Sequence, residues 1–247
     1  MRRFALALLL ATVATPTAFA KPAPVAAAVA AKDRPAEAVA LDASRKPVEI
    51  LSFMRLKPGM KTFDLLTGTG YYAEIMGRAV GKKGSVAAYS PANYNPEPIK
   101  AAFATLTPRV PNVRLVNNPA EAFVPNSYDF AMLHLNYHDF YFESEKFNIP
   151  RTDPDVVLKT LFATMKPGGI VAVIDHVGPA GDTRAIVDKV HRIDPETVKA
   201  DFKRAGFVFD GASEALRVPS DDLSKNVFDP AIRGKTDRFA FRFRKPK

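Results

Sequence analysis

The sequence predicts an α/β fold: a seven-stranded, mostly parallel sheet with helices on both faces and an antiparallel hairpin at its C-terminal edge. Three observations predict it. Short β-branched or apolar runs alternate with helical patterns from Ser44 onward, the signature of βαβ units. A glycine-bearing turn, Asp64 to Tyr72, sits where the first of those runs gives way to a helical pattern. The last two runs are joined by a loop without a clear crossover helix, and strands joined that way pair antiparallel.

Taken in order, Arg45 to Leu56 reads as a helix ended by the Lys57-Pro58-Gly59 turn. The first strand follows at Lys61 to Leu66, then the glycine loop, then a helix from Tyr71 to Val80. Gly81 to Gly84 turns into a short second strand, Ser85 to Tyr89. A helix over Asn95 to Leu106 leads to a third strand, Val113 to Val116. Tyr128 to Leu135 is almost wholly apolar, as a strand covered on both faces requires. A helix from Asp155 to Met165 precedes the Lys166-Pro167-Gly168-Gly169 turn and a fifth strand, Ile170 to Asp175. The helix from Pro195 to Ala205 has Asp194 as its N-cap. Phe207 to Val218 and Arg238 to Arg244 hold the last two strands, the latter alternating basic with aromatic or small residues as for one buried face.

Residues 1–20 read as an export signal: Arg2 and Arg3, an apolar run from Phe4 to Ala14, then Ala18-Phe19-Ala20 as a cleavage site. A periplasmic or secreted location follows as an expectation. The apolar run is too short to span a bilayer, which takes about 20 residues, and no later segment qualifies. Residues 21–43, rich in alanine and proline, read as a flexible or partly helical lead-in, and residues 44–247 as one domain. Cysteine is absent, which excludes disulfides and thiolate chemistry. The formal net charge of +9, two units of it from Arg2 and Arg3, favours anionic partners. Dense basic runs with interleaved aromatics are absent, so nucleic acid is not indicated.

The loop Asp64-Leu65-Leu66-Thr67-Gly68-Thr69-Gly70-Tyr71-Tyr72 has the residues a ligand-binding turn needs. Glycines allow positive φ or close backbone approach, and the following helix offers free N–H groups. Asp64 is placed to accept a hydrogen bond or pair with an ammonium. With the KPG turn before the first strand and KPGG before the fifth, the chain from Arg45 to Lys245 resembles class I S-adenosylmethionine (SAM)-dependent methyltransferases, whose sheet is Rossmann-like. More narrowly it is similar to a group of exported bacterial predicted methyltransferases, through ASRKPVEIL, TGTGYYAEIMGRAVGKKGSV, LNYHDFYF, VIDHVG and HRIDPETV.

That resemblance implies SAM as cofactor and methyl transfer to a small molecule or envelope component. It implies that Asp64, Gly68, Gly70 and Tyr71 surround the methionine part and that Ser90 stands at the ribose. It also implies that Asn117 and Asn118 lie near the adenine and that His134 faces the methyl-transfer region. Two departures stand out. Leu66 replaces a usual glycine, and Ser90 stands where the family has Asp or Glu, giving one hydrogen bond where a carboxylate bridges two hydroxyls. Together with the export signal, this keeps open a repurposed binding protein on the same fold. A dinucleotide site is a further alternative, since Gly68, Gly70 and Ala73 fit Gly-x-Gly-x-x-Ala, but the end of the second strand offers no acid.

In open α/β sheets ligands bind beyond the carboxyl ends of the strands, and all four histidines fall at or after such positions. The sequence assigns His138 as the leading base, with Asp139 or Asp175 orienting it and His176 beside it. Tyr137, Phe140, Tyr141 and Phe142 either wall a substrate pocket or form a core satellite under the loop. A metal held by His134, His138, Asp139, His176 and His191 is an alternative that spacing does not establish, and no metal is assigned. Arg192 is read as pairing with a carboxylate.

Overall fold

A computed structural model describes residues 24–94, 96–147 and 149–247. The export signal read over residues 1–20 lies outside the described residues. The chain runs α1 (Pro24–Val29), α2 (Ala36–Val39), α3 (Asp42–Arg45), α4 (Pro47–Phe53), β1 (Lys61–Leu65), α5 (Tyr71–Val80), β2 (Ser85–Tyr89), α6 (Pro96–Arg109) and β3 (Val113–Val116). It continues through α7 (Pro119–Ala122), β4 (Tyr128–His134), a 3-10 turn (His138–Tyr141), α8 (Pro154–Thr164), β5 (Met165–His176), α9 (Thr183–Val190), α10 (Pro195–Arg204), β6 (Val208–Ser213) and β7 (Arg238–Arg244).

The seven strands lie in the order β3-β2-β1-β4-β5-β7-β6. The first five are parallel, while β7 runs antiparallel to both β5 and β6. Strand alternation sorts the core into two layers. Val86, Ala88, Phe130, Met132, Ala172 and Ile174 face one layer with α1, α4, α5 and α6. Phe63, Leu65, Ala131, Leu133, Val173 and Phe241 face the other with α8 and α10. The chain reversal between β1 and β4 leaves a crevice over their carboxyl ends, where the candidate site residues gather.

Several elements depart from the sequence reading. The lead-in is not a flexible tether: from Pro24 onward it is helical and packed, with Val25 and Ala28 buried in the same layer as α5. Arg34, with its side chain only 1 % exposed, pairs with Asp42 at 2.7 Å and pins the segment. The helix expected over Arg45 to Leu56 breaks at Lys46 (φ 44°), because Pro47 disfavours helical backbone in the residue before it. KPGG does not end before the fifth strand but lies within it: Gly168 N–H donates to Lys245 O and Lys245 N–H to Gly169 O on one side, and Met165 pairs with Tyr128 of β4 on the other. The sixth strand is shorter than expected and ends at Ser213. Helix α9 was not expected, although Asp182 caps it by accepting from the N–H groups of Arg184 and Ala185.

The basic alternation on β7 is not an in–out pattern. The strand is buried on both faces, and Arg242 is held by Asp210 and the carbonyl of Phe53. No helix among the described residues is long and apolar enough to cross a membrane.

Candidate functional site

Asp64 lies near the end of β1, buried, and its carboxylate accepts a 2.6 Å hydrogen bond from Thr67 Oγ1. Burial pushes this carboxyl up to about 7, against the opposing pull of that hydrogen bond and of Arg45. The chain then turns through Leu66 at φ +57° and Gly68 at φ +55°. A non-glycine residue in the left-handed region costs about 1 kcal/mol or more, so Leu66 holds strain at the position where the resemblance implies glycine. The two loop glycines differ in kind. A Cβ on Gly68 would meet open space, whereas one on Gly70 would come within 2.7 Å of Leu106. Gly70 is therefore demanded by the packing of α6 on the loop, and Gly68 leaves room for something to approach.

Beside Asp64, Asn136 donates to the carbonyls of Leu65 (2.7 Å) and Leu66 (3.2 Å). Its Oδ1, like Nε2 of His134, is buried with no partner among the described residues. Arg45, Asp64, Leu66, Thr67, Tyr71, Tyr72, His134 and Asn136 enclose a cavity of about 30 Å³, enough for one small polar group. The acceptors Asp64 and Asn136 Oδ1 suit an ammonium. The residues present thus fit the amino-acid end of SAM.

The ribose end is poorer. Ser90 is buried after β2, and its carbonyl accepts from Asn117 Nδ2 at 2.8 Å. Asn118 caps α7, its Oδ1 accepting from Ala120 N–H at 3.0 Å. Tyr71 also ties the lead-in to the loop, since its hydroxyl donates to Asp42 at 2.6 Å and Arg45 lies over its ring. His134 stacks edge-on against Tyr72 at 4.7 Å, and burial holds its imidazole neutral.

The other three histidines converge. After β4 the chain turns at Leu135 (φ +56°), and the 3-10 turn brings His138 over the end of β5. Nδ1 of His138 is 2.8 Å from Oδ1 of Asp175, while the backbone N–H of His138 donates to Oδ2 at 2.9 Å. Asp175 is fully buried, and the charge of His138 holds it low despite the burial that would raise it. Burial opposes the charging of His138, but Asp175 outweighs it, with help from Asp139, and pushes the imidazole up to about 9. Asp139 lies 3.4 Å from Nε2, and burial raises its carboxyl. The ring of His176 is 6.0 Å from that of His138. Its Nδ1 is 2.7 Å from Thr236 Oγ1, and burial takes it down to about 3. His191 caps α9 in the left-handed conformation, 5.7 Å from His138 and against Phe142 and Phe228.

This charge pattern bears on the assignment of His138 as the leading base: the pairing with Asp175 is the orienting contact that the assignment expects, and it also raises the proton affinity of the ring and so favours the imidazolium. The described residues hold no histidine and carboxylate group arranged for a metal. Arg192, wholly buried, pairs with Asp221 at 2.7 Å. Of the loop aromatics, Phe142 lines the main cavity, while Tyr137 packs on Phe140 and Phe202 in the core.

That cavity, about 940 Å³, opens over the ends of β4, β5 and β7. His138, Asp139, His176 and His191 line it with Leu135, Phe142, Val227 and Phe228. Sequence reasoning missed Arg45, Thr236 and Arg238 on its wall. Only the pairing of β7 beside β5 brings the last two there, and no spacing in the sequence signals it.

No family model matches the chain. Over 127 residues it is 31 % identical to the ubiquinone/menaquinone biosynthesis C-methyltransferase UbiE of Shewanella sp. strain ANA-3, covering 50 % of this chain and 45 % of that protein. The chain thus spans about half the length of the curated relatives it matches. Among solved structures it resembles a SAM-dependent methyltransferase from Aquifex aeolicus, with TM-score 0.59, 21 % identity and 86 % and 99 % of the two chains covered. It also resembles a putative sarcosine dimethylglycine methyltransferase from Galdieria sulphuraria, with TM-score 0.58, 17 % identity and 83 % and 86 % covered. The fold is that of the class I SAM-dependent methyltransferases.

Proposed function

We propose that this protein is a SAM-dependent methyltransferase acting on a small molecule held in the 940 Å³ cavity. The observation that carries the reading is the join between two sites at the ends of β1 and β4. Asp64 and Asn136 present acceptors beside an open Gly68, and Arg45 and Leu135 lead from there into the histidine-lined cavity. The methyltransferase relatives and the shared fold support it.

Asp64, Asn136 and Gly68 would hold the amino-acid end of SAM, and Ser90 would make a single hydrogen bond to its ribose. When bound, SAM supplies an electrophilic methyl group. The chain's own residues position the acceptor and manage one proton. Imidazolium His138, fixed through Asp175, stabilises negative charge that develops on the acceptor. Asp139, facing the same cavity, takes the acceptor's proton. Phe142, half-buried on the same lining, keeps water from the reacting groups.

Calorimetric titration with SAM and with S-adenosylhomocysteine tests the reading. Saturable binding that Asp64→Ala abolishes is expected, followed by methyl transfer in an acceptor screen. No binding at millimolar ligand would sink it. A second reading, a binding protein without transfer, is favoured by the missing carboxylate at Ser90. Binding without transfer across that screen would select it.

We further propose that the protein is exported, on the strength of Arg2, Arg3, the Phe4 to Ala14 run and Ala18-Phe19-Ala20. N-terminal sequencing of protein from the envelope or medium should begin at Lys21. An intact Met1 in the cytosolic fraction would oppose it.

A further inference from the structure

Most buried or half-buried arginines in this protein have carboxylate partners. Arg34 has Asp42, Arg78 has Glu74, Arg192 has Asp221 and Arg242 has Asp210. Arg45, Arg184, Arg238 and Arg244 have no carboxylate partner among the described residues, and of these Arg45 and Arg238 line the main cavity. Arg238, at the start of β7, is 6 % exposed. Its Nη2 donates to the carbonyl of Ser44 at 2.6 Å, and its Nε is buried with no partner among the described residues.

The nearby acids are committed elsewhere. Asp237 accepts from Arg217 at 2.9 and 3.0 Å and from Val218 N–H at 2.7 Å. Asp42 is taken by Arg34 and Tyr71, and Asp64 by Thr67. Burial and the charge of Arg45 both hold the Arg238 guanidinium below its ordinary value. Two cations close together in a desolvated wall are unfavourable unless an anion joins them. Arg233 adds a third guanidinium to the lining, and among the described residues Asp139 supplies the one carboxylate there. The wall also carries His138, His176 and His191, and between these polar groups Leu135, Phe142 and Val227 supply apolar surface. Phe147 and Phe228 are exposed on the same lining.

We propose that Arg238 and Arg45 form an anion site in the main cavity, and that the methyl acceptor is an apolar, ring-sized molecule carrying a carboxylate that the two guanidiniums grip. Planar guanidinium forks match a carboxylate in two parallel hydrogen bonds, which sets the acceptor's orientation as well as its affinity. Calling this ligand the methyl acceptor rests on the methyltransferase reading; the anion site does not. Arg45 also borders the small cavity beside Asp64, whereas Arg238 does not, so Arg238 is the residue that reports on the acceptor side.

The test is calorimetry on the purified protein with 2-naphthoate and its uncharged counterpart 2-naphthamide, with SAM titrated in parallel. Naphthoate should bind one site at least tenfold more tightly than the amide. Arg238→Met should erase that preference, Arg238→Lys should keep part of it, and both should leave SAM affinity within about twofold. Circular dichroism establishes that each variant folds; if Arg238→Met does not, Arg238→Lys and weakening of naphthoate binding by added salt carry the test. Equal binding of acid and amide, or naphthoate binding unchanged in the variants, overturns the proposal. Loss of SAM affinity in Arg238→Met without naphthoate binding to the parent also overturns it, because the guanidinium then serves the donor's own carboxylate. Naphthoate binding in a protein that does not bind SAM upholds the anion site and overturns the methyltransferase reading alone.

Discussion

Nδ1 of His138 lies 2.8 Å from Oδ1 of Asp175, the last carboxylate of β5, with Asp175 fully buried and His138 buried at the cavity wall. The pair is built from two segments that approach only because β4 and β5 are neighbours in the sheet. Asp175 is held at three points: by the His138 ring, by the His138 backbone N–H and by the His176 backbone N–H at 2.7 Å. These contacts favour its charged form, which in turn raises the proton affinity of His138.

The first prediction concerns that charge directly. With only four histidines in the chain, each ring can be assigned by single substitution in a proton–carbon spectrum. His138 should titrate near 9 and His176 should stay neutral down to about 3. In Asp175→Asn the His138 midpoint should fall below 6.5, because burial remains while the compensating charge is gone. A His138 midpoint near 6.5 in the parent would show that the pair is solvated.

Stability should follow the same proton. The folded-state value of His138 is raised from 6.5 to about 9. Its contribution is therefore complete below about 6.5 and is lost as pH rises through about 9. At 1.36 kcal/mol per unit the contribution is about 3 kcal/mol. Between pH 6.5 and 9.5 the melting temperature of the parent should fall by roughly 5–10 °C more than that of His138→Gln. Parallel profiles for the two proteins would contradict this.

The two loop glycines should separate structure from binding. Gly70→Ala places a methyl group 2.7 Å from Leu106 at φ +86° and should cost about 3 kcal/mol in urea unfolding. Gly68→Ala meets no neighbouring atom within 4 Å and should cost only about 1 kcal/mol of backbone strain. That second variant should nonetheless weaken SAM binding at least tenfold by calorimetry. Equal SAM affinity in Gly68→Ala and the parent would remove the loop from the binding surface.

The docked lead-in should prove integral. Asp42 accepts from Arg34 at 2.7 and 2.8 Å and from the Tyr71 hydroxyl at 2.6 Å. Asp42→Ala leaves the Arg34 guanidinium buried with only the Val29 carbonyl as partner, which should cost about 3 kcal/mol. Trypsin should then cleave after Lys32 well before the rest of the domain, Arg34 being protected by Pro35. Unchanged melting and unchanged cleavage would return this segment to the status of a tether.

How far the sequence reached can be judged from particular residues. The order of strands and helices was legible because apolar periodicity and the Gly and Pro punctuation repeat along the chain. Asp64 and Gly68 could be singled out because a strand-to-helix turn that meets a ligand needs those residue types. The same local logic failed at residues 24–43. Their alanines and prolines carry few large apolar groups, yet Val25 and Ala28 suffice once α5 offers a surface. It failed again at β7, where arginine alternation suggested a solvated face and the structure pairs or buries those arginines instead.

By itself, then, the sequence determined the fold class, the glycine loop and the placing of every histidine near a strand's carboxyl end. Only the tertiary structure decided which of them meet. It set His138 on Asp175, took His134 away to stack on Tyr72, and brought Arg238 beside the Ser44 to Arg45 turn from nearly two hundred residues away. The physical reason is that ionisation depends on burial and neighbouring charge. Those are properties of the space between strands, and local spacing along the chain does not encode them.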